Sequence, residues 1–79
     1  MDVTIEFTLE AFDCVADHMP KGSNIYTACR SVKMIFGTDG RPRLEMRCDE
    51  SEVNVLLGIA KQYCPDAAQQ IEDALVKAS

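Results

Sequence analysis

The stretch from residue 31 to 48 constrains this chain most, because one folding of it satisfies pattern, charge and turn chemistry together. Residues 31–36 and 42–48 are two strand-like runs around Gly37-Thr38-Asp39-Gly40-Arg41. A two-residue turn at Asp39-Gly40 places Lys33 opposite Met46, and a four-residue loop places Met34 opposite Arg43. Both mix apolar and charged faces, which a half-buried sheet does not tolerate. A three-residue loop, Thr38-Asp39-Gly40, sets Met34 opposite Leu44 and Val32 opposite Met46 on one face. It sets Lys33 opposite Glu45 on the other, an attractive cross-strand pair. That loop needs a left-handed backbone at its third position, where Gly40 stands.

The remaining segments follow from their periods. Val3, Ile5 and Phe7 alternate with Asp2, Thr4, Glu6 and Thr8, the pattern of a half-buried strand. From residue 9 the period changes to helical: Leu9, Phe12, Val15, Ala16 and Met19 predict a helix over 9–19, with Thr8 as N-cap and Pro20 as its stop. Residues 25–31 fit either a helical face or a strand, and Ile25-Tyr26-Thr27 favours a strand starting near 25. Asp49 and Glu52 have capping-box spacing ahead of a helix over 50–63. That helix carries one apolar stripe of Val53, Leu56, Leu57 and Ala60, and an offset pair, Val55 and Ile59. It must pack on the sheet along one stripe and on another helix or a partner chain along the other. Pro65 ends it, and Asp66 is expected to cap a last helix over 66–78, whose buried face is Ala67, Ile71, Ala74, Leu75 and Ala78.

The order is therefore β-α-β-β-α-α: an α+β domain in which a small antiparallel sheet of about three strands is covered by three helices. Seventy-nine residues leave room for one core, so 1–79 is read as a single compact domain. The chain has no apolar run of about 18 or more residues, which excludes a transmembrane helix. The opening residues Met1-Asp2-Val3-Thr4-Ile5-Glu6 lack the basic start and apolar stretch of a signal peptide, so a cytoplasmic location is expected. In a reducing cytosol the four cysteines, Cys14, Cys29, Cys48 and Cys64, are expected as free thiols. Their spacings of 15, 19 and 16 contain no C-x-x-C pair for zinc.

Charge is sorted along the chain. Residues 1–29 carry five acids and one base, residues 30–48 five bases and two acids, residues 49–79 six acids and two bases. Glu10, Asp13 and Asp17 are three and four apart, so they share one helical face, away from Phe12, Val15 and Met19. With Glu6 they make an acidic surface, and Asp49, Glu50 and Glu52 make a second. Such surfaces are most often only solvated, but they also steer association with basic partners. The leading expectation is a non-enzymatic interaction protein that docks these acids on a larger basic partner, a protein or protein–nucleic acid complex, and inhibits it. In size, charge and lack of catalytic motifs the chain is similar in kind to phage-encoded inhibitors such as anti-CRISPR proteins, a likeness of type that no motif carries.

The alternative is a homodimeric regulatory or nucleic-acid-binding module. It would pair through Val55 and Ile59 and present the basic hairpin 30–47, with Arg43, Arg47 and Lys33 on its non-core face and Arg41 near the turn. Glu45 in the middle of that face and the acidic whole argue against it. A third reading uses Cys14 and His18, four residues apart on one helix, as a thiol nucleophile, a redox sensor or half of a metal site. No third member is visible in sequence, and Asp13 and Asp17 disfavour a thiolate. No catalytic residue, cofactor or metal is therefore expected.

Overall fold

The computed structural model describes residues 2–78. Strand β1, Asp2–Thr8, leads directly into helix α1, Leu9–Asp17. Strands β2, Ser31–Phe36, and β3, Pro42–Asp49, form the hairpin, and helices α2, Glu50–Tyr63, and α3, Pro65–Ala78, close the chain. The sheet is antiparallel with order β1-β3-β2, so β3 is its central strand. The expected α+β architecture holds.

The hairpin has the register that its sequence dictates: Val32 faces Met46, Lys33 faces Glu45 and Met34 faces Leu44. Gly40 takes φ +78°, and the turn closes with the Gly40 N–H on the Gly37 carbonyl at 2.9 Å. Asp39 reinforces it, accepting the Arg41 N–H at 3.0 Å.

One face of the sheet is core. Val3, Ile5 and Phe7 of β1 and Met46 and Cys48 of β3 are buried under Phe12 and Val15 of α1, Val53 and Leu56 of α2, and Ile71 of α3. Each such side chain contributes about 1.5–3 kcal/mol by leaving water. Phe7 and Phe12 meet edge to face with centroids 6.3 Å apart, which ties β1 to the helix it leads into.

Several boundaries differ from expectation, each for a local reason. Helix α1 stops at Asp17 rather than 19: a proline disfavours helical backbone at the residue before it, here Met19, and the chain leaves the helix at His18, whose N–H turns to the Val15 carbonyl at 3.1 Å. The strand expected near 25 is a 3-10 turn, Ile25–Thr27. Asn24 wins over the strand propensity there, because its side chain accepts the Tyr26 N–H at 2.8 Å. Asp49 does occupy the N-cap of α2, but the capping box does not form; its carboxylate takes the Ser51 hydroxyl at 3.0 Å. Helix α3 begins one residue early, with Pro65 in its first turn, so Asp66 is not its cap but still sits near the positive end of the helix dipole. Thr8 caps α1 as expected, accepting the Ala11 N–H at 3.3 Å.

The offset pair of α2 is met by the chain itself only in part. Ile59 packs half-buried against the core, and Val55 stays about half exposed beside Met19, Pro20 and Ala28. Among the described residues no helix is long and apolar enough to cross a membrane.

Candidate functional site

The amphipathic period of α1 turns Ala11, Phe12 and Val15 inward, and Glu10, Asp13 and Asp17 outward into solvent. Among the described residues, Glu6, Glu10, Asp13 and Asp17 form no ion pair within 4.0 Å. The hairpin and its entry segment are the opposite. Arg30 lies 3.0 Å and Arg47 3.9 Å from the Asp2 carboxylate, Lys33 lies 3.3 Å from Glu45, and Arg43 3.1 Å from Asp39. Most of the basic charge is answered inside the molecule, and the acids of α1 are not.

Glu6 also belongs to a groove. Helix α3 runs beside the outer edge of β1, and the hollow between them, about 490 Å³, is lined by Asp2, Thr4, Glu6, Asp73 and Lys77 among others. The backbone orientation of that edge follows from two bonds. The Arg30 N–H reaches the Arg47 carbonyl at 2.7 Å, so the backbone groups of Arg47 point away from β1. The Thr8 N–H donates outward to Gln70 Oε1 at 3.0 Å, while Gln70 Nε2 donates to the Thr8 hydroxyl at 3.3 Å. In an antiparallel strand, residues of one parity share one direction. The N–H and C=O groups of Thr4 and Glu6 therefore face the groove, as an unextended sheet edge. Gln70 has taken the place of an added strand at one position.

The groove leads toward α1. Beyond the Thr8–Gln70 contact, Glu10 and Asp66 share a second hollow with Cys14, Tyr63 and Cys64. The other predicted acids do not join this surface. Asp2 pairs with Asp49 across the sheet and Thr8 with Arg43, which puts Asp49, Glu50 and Glu52 at the far end of β1 from Glu10. The Ser51 hydroxyl bonded to Asp49 holds that carboxyl below its ordinary pKa, so it stays ionised.

The expectation of four free thiols is overturned. Cys14 and Cys64 form a disulfide, with Cα atoms 6.1 Å apart. Only Cys29 and Cys48 are free among the described residues. The cause is tertiary: the C-terminus of α2 arrives beside the middle of α1. Burial pushes the Cys48 thiol up to about 12, so it is inert at neutral pH, and raises Cys29 as well. His18 lies at the same junction. Its Nδ1 is 2.8 Å from the Cys14 carbonyl, which can only accept, so Nδ1 carries the proton. Its ring stacks on Tyr63 with centroids 4.3 Å apart and planes 14° from parallel.

Sequence reasoning missed Gln70, Asp73 and Cys64. Gln70, Asp73 and Lys77 share a helical face, but nothing local says that a strand edge lies beside it. Comparison with known protein families, curated proteins and solved structures finds no match to this chain.

Proposed function

We propose that this domain is a non-enzymatic interaction module that docks on a basic partner through the surface built by β1 and α1. The observation that carries this reading is the division of charge: the carboxylates of Glu6, Glu10, Asp13 and Asp17 lack ion-pair partners among the described residues, while four of the five bases in residues 30–48 are held by acids of this chain. Unpaired carboxylates on one side raise the rate and selectivity of encounter with Lys- and Arg-rich surfaces. The open edge of β1 adds a mode of binding. An extended basic segment of the partner extends the sheet at Thr4 and Glu6, with its cations near Glu6, Asp73 and Glu10. Docked there, the domain occupies a basic surface that the partner would otherwise offer to nucleic acid or another acidic ligand, which is how inhibition would follow.

The alternative of a nucleic-acid-binding hairpin gains nothing, because Arg43, Arg47 and Lys33 are already engaged with carboxylates. The test uses a labelled, capped peptide alternating Lys and Val, against a Glu–Val control. Anisotropy should give salt-sensitive binding of the Lys peptide alone, lost in a Glu10→Lys, Asp13→Lys, Asp17→Lys variant. Amide exchange at Thr4 and Glu6 should slow on binding. An affinity indifferent to salt and to the triple reversal, or no binding, overturns the reading.

A further inference from the structure

We propose that Cys14, His18 and Cys64 form a redox-gated zinc site, closed as a disulfide when oxidised and metal-binding when reduced. The three residues bring one donor atom each within 4.8 Å of one another. Tetrahedral zinc, with Zn–S near 2.3 Å and Zn–N near 2.0–2.1 Å, needs donors about 3.5–3.8 Å apart, so only small side-chain movements separate this cluster from a ligand set. Two thiolates and an imidazole are a known zinc combination, and a water would hold the fourth position.

The histidine distinguishes this from a plain staple. A structural disulfide requires no imidazole beside its sulfurs, yet His18 is fixed there twice. Its Nδ1–H is spent on the Cys14 carbonyl, and its ring lies flat on Tyr63. A ligating histidine has just this support: one ring nitrogen donates to a carbonyl, which fixes the tautomer and leaves the other, Nε2, with its lone pair for the metal. The surrounding charge also suits a cation. Asp13 and Asp17 flank Cys14 on α1, and Glu10 and Asp66 share its hollow. Those acids disfavour an isolated thiolate, but a bound dication reverses that logic, because its own charge dominates the site.

The chemistry balances with a dithiol as reductant. One of its thiolates attacks the sulfur of Cys14, the less buried of the two cysteines, and breaks the Cys14–Cys64 bond, and its second thiol resolves the mixed disulfide. The dithiol leaves as its own disulfide, and Cys14 and Cys64 are left as thiols. Zinc then displaces one proton from each. A disulfide of the same class as oxidant runs the exchange backwards: it takes two electrons from the Cys14 and Cys64 thiolates and two protons from water, leaves as two thiols, and the Cys14–Cys64 bond re-forms as zinc departs, so the two states exclude each other.

The experiment titrates zinc into the full chain against a chromophoric chelator, with the protein either oxidised or reduced with a phosphine that is then removed under nitrogen. Reduced protein should bind one zinc and oxidised protein none. Cys64→Ser should abolish binding, His18→Ala should weaken it at least about tenfold, and Cys29→Ser should leave it unchanged. Circular dichroism with and without zinc accompanies each sample. If reduction loosens the fold, zinc must restore it and raise the Tm of reduced wild type but not of oxidised. Binding that survives Cys64→Ser, binding within threefold of wild type in His18→Ala, or reduced protein that neither binds zinc nor is refolded by it, overturns the proposal.

Discussion

Along β1, the free edge of the sheet runs beside α3, its last backbone donor is taken by Gln70, and its inner residues Val3, Ile5 and Phe7 are sealed under helices. Along β2, the strand is joined to the rest almost wholly through β3, and residues of the same inner face lie open: Met34 is 58% and Phe36 71% exposed. The helical layer is thus centred on one half of the sheet. The half that carries α1 and its acids is rigidly supported, while the hairpin end depends on its own turn and cross-strand pairs. A strand edge is a hazard that proteins blunt with cover or charge. Here β1 is flanked by a helix and acids, and β2 carries Lys33 on the opposite face, paired with Glu45.

The largest test of that contrast is the disulfide. It bridges residues 50 apart and ties α1, the roof of β1, to the α2–α3 junction. Chain-entropy reasoning gives about 4 kcal/mol for a loop of that length. A Cys14→Ser, Cys64→Ser protein, unfolded in urea with a chelator present, should lose about that much. A loss below about 1 kcal/mol would mean that packing alone holds the helical half.

Next comes a matched pair on the two strands. Ile5→Ala removes a fully buried side chain of β1 and should cost about 3 kcal/mol. Met34→Ala, on the same face of β2, should stay within about 0.5 kcal/mol. Similar losses by denaturant titration would erase the distinction between the halves. Gln70→Ala then leaves the Thr8 N–H without its side-chain acceptor and should cost about 1 kcal/mol, with faster amide exchange at Thr8.

The smallest effect belongs to the hairpin turn and is read by pH. The Arg41 N–H, and after it the Arg43 guanidinium, hold the Asp39 carboxyl below its ordinary value. A lowered folded-state pKa favours the ionised form in the fold. Its contribution is therefore present at neutral pH and is lost as pH falls through that lowered value. Asp39 is open to solvent, so global stability should barely move. The Arg41 amide should lose exchange protection in acid before the β1 amides do, and Asp39→Asn should remove that acid step.

The parts legible in sequence were those whose partners are near along the chain. Lys33 and Glu45 could be matched by trying three loop lengths, and Thr8 was identifiable as a cap because its acceptor serves an amide three residues on. Ile25-Tyr26-Thr27 misled because strand propensity is weak beside a side-chain bond from Asn24 to the backbone two residues away. The acids of α1 were visible as one face, but not whether arginines of the hairpin would reach them.

By itself, then, the sequence determined the element order, the hairpin register and the outward face of Glu10, Asp13 and Asp17, since each follows from a period or a turn spanning a few residues. Tertiary structure alone decided that Cys64 meets Cys14 and His18, and that Gln70 lies against the edge of β1. Those contacts join residues 50 and 62 apart. They exist because three helices must share one apolar face of a small sheet, which brings the C-terminus of α2 to α1 and sets α3 along β1.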